Sequence, residues 1–394
     1  MQTDSEGFLY SVVDKDACTD CGLCEKVCPV IHQAAPVEPQ ATYIAINRNE
    51  EIRLQSSSGG IFTPLAEQVI AEGGVVFGAR FDKDWSVIHS WTDTIEGLAA
   101  FRGSKYVQSR IGDSYREARE FLRQGRKVLF SGTPCQIAGL KKFLRKEYNN
   151  LLTVDFICHG VPSPGVWQRY LSELREELRA KRGVGKNTVP SSMDELPVIT
   201  GISFRDKTNG WKKYGFCLRY AASKAALNSV SSSANKVEKE FLQPFPQNSF
   251  MRGFLADVYL RPSCYACSAK SGKSGSDITI ADAWGIDCFA VEHDDDKGAC
   301  YVLENTSKGT SYMSLFSFEQ RIVDINVIKQ YNSAYVSSVK KHPQRCKFFK
   351  QYTKRREGMT ISKMVDQVLT PTYINKLKWS ANRRLTSIKN LLRK

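Results

Sequence analysis

The sequence predicts an α/β fold with α+β elements: a small cysteine-rich head (1–40), an α/β core (41–339) and a basic helical C-terminal tail (340–394). Three observations carry this. Four cysteines crowd into the head, at Cys18, Cys21, Cys24 and Cys28. Behind them, short apolar stretches alternate with segments of helical periodicity, the pattern of parallel strands joined by helices. The tail holds 16 Lys or Arg against two acidic residues, Glu357 and Asp366, and so carries +14 of the chain's formal +15.

At 394 residues the chain suits two or three domains of about 150 residues each. Hydrophobic residues make up 42% and charged residues 25%, enough for a folded core. The opening MQTDSEGFLY has neither a basic start nor an apolar h-region, and no apolar run approaches the ~18 residues of a spanning helix. The expected location is the cytoplasm. There, 12 patterned cysteines point to metal or redox chemistry rather than disulfides.

The elements follow in order. ATYIAIN (41–47) reads as a strand. In SSSGGIFTPLAEQVIAEGG (56–74), Ser57 or Ser58 is expected to cap a helix carrying Ile61, Leu65, Val69 and Ile70. VVFGARF (75–81) and WSVIHSW (85–91) read as paired strands. Helix 114–126 stops near Gly125. Strand 127–131, helix 136–147, strand 151–157 and helix 164–181 continue the alternation. RGVGKNTVPSSMDELP (182–197) and AASKAALNSVSSSANK (221–236) read as polar loops, with a hairpin of GISFRD and KYGFCLRY between them. SDITIADAW (276–284) is a further strand. In the tail, Ile374, Leu377, Ala381, Leu385, Ile388 and Leu392 recur at helical spacing among Lys378, Arg383, Arg384 and Lys389.

The head reads C-x2-C-x2-C-x3-C-P, the bacterial ferredoxin run for a [4Fe–4S] cluster. Two-residue gaps let one tight loop present three thiolates to one face of a cubane. Gly22 permits the turn and Pro29 ends it. Zinc sites more often use two separated pairs. In two-cluster ferredoxins the fourth cysteine serves the other cluster, so Cys28 either closes the same cluster or serves one whose motif lies upstream. A second constellation is Cys264-Tyr-Ala-Cys267 with Cys135 and Cys158. The last two follow apolar stretches and fall at the carboxyl ends of neighbouring strands, where open sheets bind ligands. These four thiols suit an Fe–S cluster or zinc. Cys217, Cys288, Cys300 and Cys346 show no partner spacing.

Other loops offer ligand chemistry. Ser57, Ser58, Gly59 and Gly60 expose backbone amides at a helix start, which suits a phosphate. Gly132 and Thr133 sit in another strand-to-helix turn. Lys105 beside Tyr106 could meet a phosphate or the polar end of a flavin, and His159 and Lys105 are candidate catalytic proton donors. There is no Walker A, GxGxxG, HExxH or GxSxG motif.

Taken in order, CxxCGxCxxxCP, SSGG, GSKYVQS, GTPCQIAGL, CHGVPSP, SFRDKxxGW, SCYxC and SDITIADxWGI resemble the beta-subunit family of coenzyme F420 hydrogenases and dehydrogenases, over about residues 5–310. Plant 7-hydroxymethyl chlorophyll a reductase is similar. The resemblance implies a ferredoxin-like head on a flavin-binding core, with FAD and one or two [4Fe–4S] clusters. It implies cluster ligation by Cys135, Cys158, Cys264 and Cys267, and FAD contacts at Ser57–Gly60, Lys105, Tyr106, Gly132 and Thr133. Many bacterial members carry two ferredoxin motifs around an EGFLYPxxD-like stretch. This sequence starts almost at that stretch (SEGFLYSVVD, 5–14), which fits either a shortened head or a late-assigned start.

The expected function is an iron–sulfur flavoprotein oxidoreductase passing electrons between [4Fe–4S] clusters and FAD, served by ferredoxin or another carrier and acting on a small molecule. The alternative is an electron-transfer subunit without its own substrate site. Outside the tail the charge is near zero, so the overall +15 does not argue for a nucleic-acid partner. The basic tail helix suits peripheral contact with an anionic membrane at its inner face, or a place on the protein's own body.

Overall fold

The computed structural model describes residues 1–181, 196–222 and 239–370. The head opens with a small hairpin, β1 (Gln2–Thr3) and β2 (Leu9–Tyr10). Asp4 shapes its turn, its carboxylate accepting from the amides of Glu6 and Phe8. This SEGFLY stretch is built into the body. Phe8 is fully buried, Ser163 donates to the Glu6 carbonyl at 2.5 Å, and Arg345 pairs with the Glu6 carboxylate. Gly7 has φ +84°, and a Cβ there would lie 2.7 Å from Gly165 Cα, so only glycine permits the approach. The cysteine run follows, around the short helix α1 (Leu23–Lys26).

The main sheet has eight strands: β3 (Ala41–Ile46), β4 (Val75–Phe81), β5 (Val87–Thr92), β6 (Val128–Ser131), β7 (Leu151–Phe156), β11 (Ile278–Asp282), β12 (Cys300–Glu304) and β13 (Glu319–Ile322). Their spatial order is β13-β3-β12-β11-β7-β6-β4-β5. The centre, β11-β7-β6-β4, is parallel; the flanks are antiparallel. This is the expected α/β alternation with α+β edges. Asp277 anchors the β7–β11 seam, its carboxylate accepting from the Thr153 amide and hydroxyl.

Helices cover both faces. A helix not expected from the sequence, α2 (Glu50–Gln55), precedes α3 (Phe62–Ala71), which buries Leu65, Ala66 and Val69 against the sheet. On the opposite face, α4 (Ser114–Arg123) and α5 (Pro134–Leu144) bury Ala118, Leu122, Ile137 and Leu140. Ser57 and Ser58 do not cap α3. Its N-cap is Ile61, and both hydroxyls are engaged elsewhere, as described below.

The hairpin expected at GISFRD and KYGFCLRY forms as β8 (Val198–Asp206) and β9 (Gly215–Ala221), joined by β10 (Lys239–Pro244) into a second sheet. It packs on α6 (Pro164–Ala180), whose Ser163 cap, Pro164 start and Val166-Tyr170-Leu174-Leu178 stripe favour a helix with one apolar face. Trp167, Phe204, Phe216 and Phe250 fill the space between. Up to residue 370 the basic segment is part of this body rather than an appendage. Helices Arg345–Lys354 and Ile361–Leu369 add Phe348, Phe349, Ile361, Met364, Val365 and Val368 to the same core. The amphipathic stretch at 374–392 and most of the two polar loops lie outside the described residues.

Candidate functional site

At the carboxyl ends of β6, β7 and β11 the sheet opens into a cavity of about 390 Å3. The turn after β6 forms one wall. A proline at the first helical position presets φ for the opening turn. Here Pro134 opens α5 while the Thr133 amide donates to Gln136 Oε1 at 2.9 Å. Gln136 Nε2 donates to Ser109 Oγ, which in turn meets His89 Nδ1 at 2.9 Å. His89 Nε2 lies 3.1 Å from the Ser131 carbonyl and so donates to it. Burial pushes the His89 pKa down to about 4, leaving a neutral imidazole that braces the turn.

The second wall is the 56–60 turn. Ser57 Oγ accepts from the amide and hydroxyl of Ser104, tying this turn to the GSKY loop. Ser58 Oγ donates to the Ala299 carbonyl. Gly59 is wedged against the sheet, where a Cβ would lie 2.7 Å from Ala45 O and Cys300 N. It supports the turn from behind, while Ser57, Ser58 and Gly60 line the cavity. Lys207 holds the same turn from below, donating to the carbonyls of Arg53, Ser58 and Lys297, and burial pushes its pKa down to about 8.

Lys105 and Tyr106 are both on the cavity wall. The Lys105 ammonium turns into its own loop, donating to Ala100 O and Arg102 O at 2.9 Å, and burial pushes its pKa down to about 7. The Tyr106 ring stacks on Phe254 at 4.6 Å. His159 also lines the cavity, its Nε2 2.7 Å from Asp257 Oδ1 and its ring edge-on to Phe254.

Arg205, Tyr214, Asp282 and Trp284 line the cavity without having been singled out from the sequence. The Arg205 guanidinium forks onto Asp282 at 2.9 and 3.3 Å, and sits 4.1 Å over the Tyr214 ring and 5.2 Å over Trp284. Trp211 stacks on Trp284 at 4.8 Å and donates to Asp282. The signal was present in SFRDKxxGW and SDITIADxWGI, but only the β8–β11 juxtaposition pairs their charges.

The four core thiols converge beside this cavity. Cys135 lies in the first turn of α5, Cys158 follows β7, and Cys264 and Cys267 bracket the end of the 3-10 turn Pro262–Ala266. All are free. Burial, then the negative charge of Cys264, Cys135 and Cys267, raises the Cys158 pKa well above normal. Burial and the thiols of Cys135 and Cys267 push Cys264 up to about 11, and burial with Cys267 raises Cys135. Cys135 is exposed and the other three are half-buried, and the negative charge of neighbouring thiols disfavours ionisation of Cys135, Cys158 and Cys264, which a bound cation would relieve. That donor set fits a cluster or zinc.

In the head, Cys18, Cys21 and Cys24 are exposed and Cys28 half-buried. Asp20 (φ +52°) and Gly22 (φ +66°) make the sharp loop that the spacing demands. The backbone amide of Leu23 and the Thr19 side chain lower the Cys21 pKa, favouring its thiolate. This arrangement suits a metal cluster.

A family model for the C-terminal part of the coenzyme F420 hydrogenase/dehydrogenase beta subunit matches residues 125–325, which include Cys135, Cys158, Cys264 and Cys267. A 4Fe-4S binding domain matches residues 10–35, enclosing the head cysteines. No relative matches among the curated proteins. Among solved structures, the chain is similar to one in the xenon-derivatised F420-reducing [NiFe] hydrogenase complex from Methanosarcina barkeri. The identity is 17% and the TM-score 0.47, covering 76% of this chain and 90% of that one.

Proposed function

Because the chain belongs to the coenzyme F420 hydrogenase/dehydrogenase beta-subunit family and carries a 4Fe-4S binding domain, we propose that it is an FAD- and iron–sulfur-dependent oxidoreductase. The observation that carries this reading is one cavity walled by two small-residue turns, each leading into a helix, with a four-thiol set directly beside it. Cys18, Cys21, Cys24 and Cys28 would hold the head cluster; Cys135, Cys158, Cys264 and Cys267 would hold a second.

Ser57, Ser58 and Gly60 at α3, with Gly132 and Thr133 at α5, would lie along the phosphates of FAD, where two helix dipoles favour negative charge. Tyr106 and Phe254 supply flat apolar surface for a ring, and Arg205 with Asp282 closes the far end of the cavity. FAD supplies the exchange between one-electron and two-electron transfer. Asp257 fixes a proton on His159 Nε2, and the protonated ring would present Nδ1–H as a donor. Lys105, its ammonium already bonded to two carbonyls, holds the shape of the 100–105 loop and would have to leave those bonds to act on a ligand.

A second reading is favoured by the head surface, where Val12, Val13, Leu23, Val30 and Ile31 are exposed around the cysteine run. Such a surface suits a protein partner, which would make the chain an electron-transfer subunit. The deciding experiment is anaerobic purification with iron, zinc, sulfide and FAD analysis. Iron and FAD with absorption that bleaches on dithionite is the expected result, whereas a colourless zinc protein would refute the reading. Dye-linked activity without turnover of any small substrate would select the subunit reading.

A further inference from the structure

The charge around the core thiols is uneven. Among the described residues, Arg261 acts on Cys135 and Cys264 and Lys270 on Cys158. Arg261 is committed to the head, donating to Leu9 O at 2.8 Å and lying 4.1 Å over the Tyr10 ring. Lys270 is different. Three residues beyond Cys267, it folds back and donates to the carbonyls of Cys158 at 2.7 Å and Ala334 at 2.6 Å. The amine is thus fixed on the backbone that carries the Cys158 thiol. No carboxylate is bonded to it among the described residues, and its charge acts on that thiol.

We infer that Lys270 is a positioning residue for the four-cysteine site that makes a cluster held there easier to reduce. The proposed FAD cavity does not use this residue, and the inference rests on the proposed ligation by Cys135, Cys158, Cys264 and Cys267. The physical reason is charge. One electron supplied by dithionite adds one negative charge to a cluster held by four thiolates, with no bond made or broken. A fixed ammonium on the Cys158 carbonyl stabilises that added charge, and in a half-buried place water screens it incompletely. The lysine's hydrogen bonds also hold the Cys158 loop to residue 334, so charge and clamp must be separated experimentally.

K270Q keeps amide donors for the two carbonyls and removes the charge; K270M removes both; K270R keeps the charge. Each full-length protein is purified anaerobically, checked for fold by circular dichroism and for iron content, and titrated with dithionite under EPR. The core signal is identified as the one lost in a C264A/C267A variant. At a fixed ambient potential, K270Q and K270M should show a reduced-to-oxidised ratio about tenfold below wild type, equivalent to about 59 mV for a one-electron couple, while K270R stays at the wild-type value. Wild-type potentials in K270Q and K270M would overturn the inference and leave Lys270 as a clamp. If neither uncharged variant retains core iron but K270R does, the charge is required to hold the thiolates, which supports it. If K270R loses the iron as well, shape rather than charge is at stake and the inference falls. Unchanged iron and unchanged signals in C264A/C267A would instead remove the ligation reading beneath it.

Discussion

Acidification should test the bracing of the cavity through His89. This imidazole is neutral in the native protein, with a pKa of about 4 caused by burial, against about 6.5 in an unfolded chain. Between those values the unfolded chain binds a proton that the native protein does not, so stability falls as pH drops through that window. At about 1.4 kcal/mol per pH unit the effect at pH 5 is about 2 kcal/mol. Asp155 acts in the opposite sense. Burial raises its pKa to about 6 despite the hydroxyls of Ser274, Thr279 and Ser276, so the native protein keeps a proton that the unfolded chain releases above about 3.9. Its contribution grows as pH falls below 6, and the two partly cancel in wild type. His89→Gln leaves an amide able to donate to the Ser131 carbonyl and removes the titration. Urea unfolding of wild type and H89Q at pH 7.5 and pH 5, followed by tryptophan fluorescence, should therefore show the variant gaining about 2 kcal/mol relative to wild type on acidification. The same pH dependence in both proteins would refute the argument.

Two further outcomes follow from close packing and from the buried ion pair. Gly59→Ala would drive a methyl into backbone atoms of β3 and β12 that cannot move independently, costing about 1–3 kcal/mol; flavin retention measured by fluorescence should fall with it, and an unchanged FAD-to-protein ratio would count against the 56–60 turn as part of the binding wall. Asp282→Asn would leave Arg205 buried without its charge partner and should cost about 3–5 kcal/mol in urea unfolding, whereas replacing both, as R205M/D282L, should recover much of the loss; a double variant no more stable than D282N would show that aromatic stacking, not the pair, fixes Arg205.

The alternation of strands and helices was legible because the parallel centre is buried on both faces, so β6 and β7 read as short continuous apolar runs. The site residues near chain turns were legible for a related reason. Gly132, Thr133 and His159 lie in turns from a strand into a helix, and Ser57 and Gly60 in the turn between α2 and α3, where small residues stand out locally. What stayed hidden depends on pairing across distance. Arg205 becomes a site residue only when β8 meets β11, and His89 only when β5 lies beside the turn after β6. Ser57 and Ser58 looked like caps because the sequence cannot show that Ser104 and Ala299 compete for their hydroxyls. In the tail, charge dominates the composition and hides the apolar residues that pack it on the body. Phe348, Ile361 and Met364 occur at spacings that bury one face, and burial of that face, not net charge, places the segment.

The two cysteine sites are held in register by residues that neither motif contains. Arg345, from the tail, forks onto Glu6 and donates to the Leu260 carbonyl, while Arg261 reaches Leu9 and Tyr10 from the segment leading to Cys264. Glu6 and Leu9 precede the head cysteines; Leu260 and Arg261 precede the core pair. One arginine therefore fastens the entry to both runs at once, and a second repeats the link. Electron exchange between two bound clusters would depend on a fixed separation, and a pair of cross-links upstream of both loops would hold it while leaving the loops proposed to ligate metal outside the links. The SEGFLY stretch is thus a structural strut of the core, which explains why its apolar Phe8 and left-handed Gly7 sit against α6 rather than in solvent.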